Sequence, residues 1–213
     1  MAGKKESTFI NMVLVLFIVT LVASATLGYV YELTKEPIAN AKMAKKLKAI
    51  KQVVPAFDNN PSEEMYSVEM PDGGNLEFYP AKMQGKLVGT AIKTYTNKGF
   101  SGLVWLMVGL KPDGTIQEIA VLEHKETPGL GSKMAGPFKD QFKDKNPSAF
   151  KLNVVKDGGN VDAITAATIS SRAFCDAVDR AYKAYMQKNK GVEAISSATT
   201  KSSNKHQKKG GLN

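Results

Sequence analysis

The stretch Leu103-Val104-Trp105-Leu106-Met107-Val108-Gly109-Leu110 carries no polar side chain, and its reading decides the fold. Successive side chains of a strand point to opposite faces, so Trp105 and Met107 face one way and Leu106 and Val108 the other. A strand with one wet face alternates apolar and polar residues, whereas this one demands cover on both. Outward from it, residues 87–95 and 115–122 are rich in Val, Ile, Leu, Thr and aromatics, and Asp113-Gly114 supplies a turn between residues 103–110 and 115–122. These three segments predict the core of an antiparallel sheet. Residues 65–70 and 76–83, punctuated by Asn59-Asn60-Pro61 and Pro71-Asp72-Gly73-Gly74, read as further strands. Helices must supply the cover, so the expected class is α+β: an antiparallel sheet with packed helices, preceded by one N-terminal transmembrane helix.

Residues 9–30 contain no charged side chain. At roughly 1.5 Å per residue they suffice to cross a bilayer core of roughly 30 Å. A cleaved signal peptide is the alternative, since Lys4 and Lys5 precede the apolar run and Ala23-Ser24-Ala25 resembles a cleavage site, but the run continues past that point. The expected organisation is a cytoplasmic N-terminus at 1–8, a transmembrane helix at 9–31, a connecting helix at 32–55, one soluble domain at 56–190 and a flexible basic tail at 191–213. The connecting helix begins near Pro37 as a continuation of the span, buries a stripe of Met43, Leu47, Ile50 and Val54, and ends at Pro55. With 213 residues, the chain has room for a single soluble domain with an adequate core.

The net charge of +9 concentrates in two runs, five lysines between 42 and 51 and four between 201 and 209. Neither is interleaved with the aromatics that stack on bases, so nucleic acid is not an expected partner. The first reads as the wet face of a helix and the second as a tail too poor in apolar residues to fold. Charge does not fix the orientation of the span: Lys4 and Lys5 precede it, but more lysines follow it, and a long translocated segment weakens the rule. The lone Cys175 permits no intrachain disulfide and reads as a packed, neutral thiol. His124 has no second histidine nearby, so no metal site is expected.

Two loops carry the chemistry. The run Asp162-Ala163-Ile164-Thr165-Ala166-Ala167-Thr168 leads into a helix expected at residues 169–189, with Phe174, Val178, Ala181 and Tyr185 facing the sheet and Arg172, Asp176, Arg180 and Lys183 facing solvent. The free N–H groups and dipole of a helix start favour an anion, so a phosphate-bearing cofactor fits beside Thr168 and Ile169. Asp162 reads as a helix cap, as a ligand of loop amides or as an aid to an enzyme that modifies the loop, and Thr165 as a turn former or a phosphate ligand. In Glu126-Thr127-Pro128-Gly129-Leu130-Gly131 the proline stiffens the backbone, while Gly129 and Gly131 permit positive φ and close approach of a planar ligand.

The pattern Asp-x-x-Thr-x-Ala-Thr at 162–168 resembles the attachment motif of the FMN-binding domain family, and Glu126–Gly131 matches that family's second signature in the right order. Gly99-Phe100-Ser101-Gly102 and Asp113-Gly114 are similar to further family features, with Phe100 standing where the family often has tyrosine. The resemblance implies FMN joined through a phosphoester to Thr168, installed by a separate, magnesium-dependent flavin transferase that uses FAD. It implies that Asp162, Thr165, Ala166, Ala167 and Ile169 surround the attachment point. Glu126 and Thr127 would offer polar groups to the ring, Leu130 would pack on it, Lys133 would face its electron-rich side or the phosphate, and Gly129, Gly131 and Phe100 would complete the site. No catalytic residue is expected.

Size, single anchor and motif set look like the G subunits of Rnf complexes, which couple electron flow between ferredoxin and NAD to ion transport. The C subunits of sodium-translocating NADH:quinone reductases share the domain and are usually longer; a stand-alone anchored flavin reductase and a scaffold without flavin compete with both. The Rnf resemblance implies the A, B, C, D and E subunits, a flavin transferase and membrane lipid as partners. It also implies an inner-membrane location with the C-terminal domain outside the cytoplasm.

Overall fold

The computed structural model describes residues 8–72 and 74–207, with side chains through Asn189. Of the expected cytoplasmic N-terminus, residues 1–7 lie outside the described residues, as do residues 208–213 of the expected tail. Contacts divide the chain into two units, Met1–Lys46 and Leu47–Asn213.

The first unit is the greater part of helix α1, Phe9–Val53. Span and connecting helix are one element, with Pro37 inside it. Pro37 has no N–H to offer the Leu33 carbonyl, so the ladder lacks one rung there without ending. The helix is long and apolar enough to cross a membrane, and its side chains from Phe9 to Val30 are exposed. In water that apolar surface costs roughly 25 cal/mol per Å²; lipid removes the cost.

The second unit opens with the last turns of α1 and continues as a five-stranded antiparallel sheet. Its strands are β1 (Tyr66–Glu69), β2 (Asn75–Met83), β3 (Lys86–Gly99), β4 (Gly102–Leu110) and β5 (Ile116–Glu123), arranged in chain order. Three short 3-10 turns follow, Gly131–Ala135, Pro137–Phe142 and Val155–Asp157, and then helix α2, Thr168–Gln207. β4 is covered on both sides, as its composition requires. Leu106, Val108 and Leu110 join Ile92, Phe138, Phe142 and the buried stripe of α2 in the larger core. Met107, with Ala91, Ala120 and Tyr79, meets Ala49, Ile50, Val53 and Val54 at the end of α1.

The approach of α1 to the sheet is set by glycine. A Cβ at Gly109 would lie 1.7 Å from the Val53 carbonyl oxygen, so any side chain there forces the helix off the strand. This moves the expected stripe: Ile50 and Val54 are buried, but Met43 and Leu47 are exposed, and Ala49 and Val53 complete the contact instead.

On the opposite side, Phe174, Val178, Ala181 and Tyr185 are buried as expected, and Thr94 Oγ1 donates to the Ala177 carbonyl oxygen at 2.9 Å. Arg180 and Asp176 depart from the expected wet face. Arg180 stacks on Tyr95, 4.7 Å from its ring centroid, and pairs with Asp72 at 2.6 Å, while Asp176 accepts from Thr96 at 2.7 Å and Lys98 at 2.5 Å. α2 starts one residue earlier than expected and runs to Gln207 rather than stopping at Asn189. Residues 191–207 of the expected tail are therefore helical, since adding residues to an established helix costs far less than nucleating one.

Candidate functional site

The strand pairing delivers one end of the sheet to the start of α2. β3 and β4 turn over at Gly99–Gly102, where Gly102 has φ +98°, and leave Phe100 at the tip, 67% exposed. After β5 the chain turns through 127–130: Leu130 N–H donates to the Thr127 carbonyl at 3.2 Å and Gly129 takes φ +76°, the conformation its lack of a side chain permits. The Gly129 N–H is held by Ser132 Oγ at 2.9 Å.

The segment before α2 is held as tightly. Ala167 N–H donates to the Ile164 carbonyl at 2.9 Å, and Ala166, inside that turn, has φ +61°. Fully buried Ser171 accepts the Ile164 N–H at 2.9 Å and donates to the Ala167 carbonyl at 3.0 Å. α2 then opens on Thr168 with no acidic residue in its first turn.

Between these loops lies a cavity of about 340 Å³ lined by Phe100, Glu126, Thr127, Leu130, Gly131, Ala166, Ala167, Thr168, Ile169 and Ser170. Thr168 is half-buried, whereas Phe100, Leu130 and Ile169 leave large apolar surfaces exposed around it. Glu126, 4% exposed, turns inward: Oε1 accepts the Ser101 N–H at 3.0 Å, Oε2 accepts the Ser170 hydroxyl, and the Glu126 N–H donates to His124 Nδ1 at 3.2 Å.

Residues 99–183 match the FMN-binding domain model, and residues 1–53 match the model of the RnfG N-terminal region. The G subunit of the Na(+)-translocating ferredoxin:NAD(+) oxidoreductase complex of Acetobacterium woodii is 31% identical over 83% of this chain and 91% of its own. The G subunits of ion-translocating oxidoreductase complexes are 33% identical in Methanosarcina acetivorans, over 85% of this chain and 95% of theirs, and 36% identical in Erwinia tasmaniensis, over 69% and 75%. The chain belongs to the G-subunit family of ion-translocating oxidoreductase complexes. The crystal structure of Shewanella oneidensis NqrC superposes with a TM-score of 0.46 at 21% identity, covering 66% of this chain and 73% of that one.

Of the residues singled out from sequence in this G-subunit chain, nine meet at the cavity: Phe100, Glu126, Thr127, Leu130, Gly131, Ala166, Ala167, Thr168 and Ile169. Gly129 shapes the loop from outside, and Lys133 is an exposed residue of the 3-10 turn Gly131–Ala135. Thr165 is exposed and is, with Ala166, one of the two central residues of the turn that the Ala167 N–H closes onto the Ile164 carbonyl. Asp162 is exposed and held by its backbone, its N–H donating to Gln141 Oε1 at 2.8 Å and its carbonyl accepting from Gln141 Nε2 at 3.2 Å. Ala167 is the residue before α2, so Asp162 is not its cap. Gly131 has no positive φ; a Cβ there would meet Ser170 Oγ at 2.5 Å and Glu126 Oε2 at 2.6 Å, so the glycine makes room for these two side chains. Ser170 carried no signal in the sequence beyond lying in the helix start, because its partner is 44 residues away.

The lining fits the cofactor that the family's domain is named for. An apolar rim suits a flat ring system, the N-terminal end of a helix suits a phosphate, and Thr168, the first residue of α2, lines the cavity. Farther along α2, Arg172 grips Asp157 through two bonds of 2.7 Å, and this contact holds the Asp157 carboxyl below the usual range.

Proposed function

We propose that this chain is the flavin-carrying subunit of a membrane-bound, ion-translocating ferredoxin:NAD oxidoreductase, with FMN esterified through its phosphate to Thr168. The observation that carries the reading is the position of Thr168: a half-buried threonine at the first residue of α2, lining an apolar cavity, with no acid in the turn to repel a phosphate. FMN, when bound, supplies reversible one- and two-electron transfer.

The chain's own residues hold and shield. The first-turn N–H groups of α2 bind phosphate oxygens, and Phe100, Leu130 and Ile169 exclude water from the ring. Glu126 ties the cavity wall together, its carboxylate accepting from the Ser101 N–H and the Ser170 hydroxyl. Attachment makes retention independent of affinity, which matters for a domain facing a dilute compartment. α1 anchors the chain in the inner membrane, with lipid around residues 9–31 and the domain outside the cytoplasm. The A, B, C, D and E subunits of the complex are its electron-transfer partners, and a magnesium-dependent flavin transferase matures it.

The test is the intact mass of full-length protein made together with the transferase. The expected result is an adduct of FMN size, absent from Thr168→Val; an adduct that persists in that variant assigns the ester elsewhere.

A further inference from the structure

We infer that Glu126 and Ser170 form a latch that positions the Thr168 hydroxyl for flavin transfer, an inference that rests on the Thr168 ester proposed above. Three separate parts of the chain meet at the Glu126 carboxylate: the tip of the β3–β4 hairpin through the Ser101 N–H, the loop after β5 that carries Glu126 itself, and the first turn of α2 through Ser170 Oγ. Both carboxylate oxygens are used and the residue is 4% exposed. The junction has no spare room. A Cβ at Gly99 would lie 2.7 Å from Oε1, and one at Gly131 2.6 Å from Oε2, so both neighbours are glycine where the carboxylate passes.

Ser170 is two residues beyond Thr168 in the same helical turn. Ser171, its neighbour, ties that turn to the preceding segment through the Ile164 N–H and the Ala167 carbonyl. The two serines fix the start of α2 from two sides, and between them they set where the Thr168 hydroxyl stands against the cavity. A buried network with every member satisfied holds one geometry, and loss of one member frees the rest.

In the transfer, the bond from Thr168 Oγ to phosphorus forms as the phosphoanhydride bond of FAD breaks. AMP leaves with the bonding pair, and the hydroxyl proton passes to a base of the transferase. The rate of such a displacement depends steeply on the placement of the attacking oxygen, with a misplacement of about 1 Å costing on the order of a hundredfold. Glu126 and Ser170 touch neither reacting atom in this account; they are positioning residues.

The experiment measures flavinylation of the purified full-length protein in detergent by purified transferase with FAD and magnesium. Adduct formation is read by mass over a range of acceptor-protein concentrations, with thermal melts in parallel. Ser170→Ala is expected to lower kcat by about tenfold or more, with the KM for the acceptor protein within about twofold, because docking survives while placement does not. Ser170→Thr, which keeps the hydroxyl, is expected to recover most of the loss. Val178→Ala, a destabilising change on the sheet-facing side of α2, is expected to lower Tm while leaving kcat within about twofold. Wild-type kcat in Ser170→Ala overturns the latch. So does an equal fall in Val178→Ala, which marks general loosening as the cause. Should Ser170→Ala lack a cooperative melt, Glu126→Asp decides: its shorter side chain reaches one partner instead of two, so a lowered kcat upholds the latch and an unchanged kcat overturns it. Bare Thr168 in the wild type under the same conditions instead removes the ester itself, and the latch with it.

Discussion

Ser171 Oγ, fully buried, accepts the Ile164 N–H at 2.9 Å across seven residues while donating to the Ala167 carbonyl at 3.0 Å. One hydroxyl thereby closes the loop that presents Thr168. Ser171→Ala strands the buried Ile164 N–H and is expected to cost about 1–3 kcal/mol of stability, read as a lowered urea midpoint with unchanged slope. A midpoint equal to that of the wild type shows that the loop does not depend on this hydroxyl.

Ala166 holds φ +61° without being glycine. The left-handed region costs a residue bearing a Cβ roughly 1–2 kcal/mol, and the greater freedom of glycine in the unfolded chain returns part of that gain. Ala166→Gly is therefore expected to raise stability by about 0.5–1 kcal/mol, measured by thermal melting. A fall in Tm contradicts the assigned backbone geometry.

Glu118 accepts from Lys139 at 2.8 Å and from Gln52 at 3.3 Å, so it links β5, the turn Pro137–Phe142 and the end of α1. The Lys139 bond, against the opposing effect of burial, holds its carboxyl below the usual 4.5. With the folded pKa below the unfolded one, the contribution is fully present above 4.5 and is lost as pH falls through the folded value. Urea midpoints taken from about pH 7 down to about pH 3 are expected to fall less steeply in Glu118→Gln than in the wild type. Identical acid slopes sink this assignment.

Burial pushes the Cys175 thiol from 9.0 up to about 12. That difference of about three units lowers the thiolate fraction at neutral pH by roughly a thousandfold. Alkylation by iodoacetamide is expected to be negligible in the folded protein and to appear only along the urea unfolding curve. Rapid labelling without denaturant contradicts the burial.

The parts legible in sequence are those written in local patterns. An unbroken apolar run at 103–110 demanded two covered faces and has them, and the spacing of Phe174, Val178, Ala181 and Tyr185 named the buried stripe of α2. The stripe on α1 is shifted because periodicity gives a phase and not a contact: Ala49, Ile50 and Val53 meet the sheet where Gly109 admits them. Arg180 looked like a solvent residue until its partners Asp72 and Tyr95 came from other elements. In the site, the two loops that carry Glu126 and Thr168 are legible in the sequence, but the bonds Glu126 makes within the protein are not. A carboxylate in a glycine-rich loop reads as a ligand contact, and only the fold brings Ser101 and Ser170 to it. For the same reason the positive φ expected at Gly131 is absent, and the room the glycine leaves for Ser170 and Glu126 could not be read from the loop alone.

The most direct test of the account is a tryptic map of the full-length protein, produced in cells that also make a competent flavin transferase and read by mass spectrometry. The account predicts that the peptide containing Thr168 carries an FMN-sized addition with fragment ions placing it on that residue. The same peptide recovered bare, with flavin elsewhere or nowhere on the chain, contradicts it.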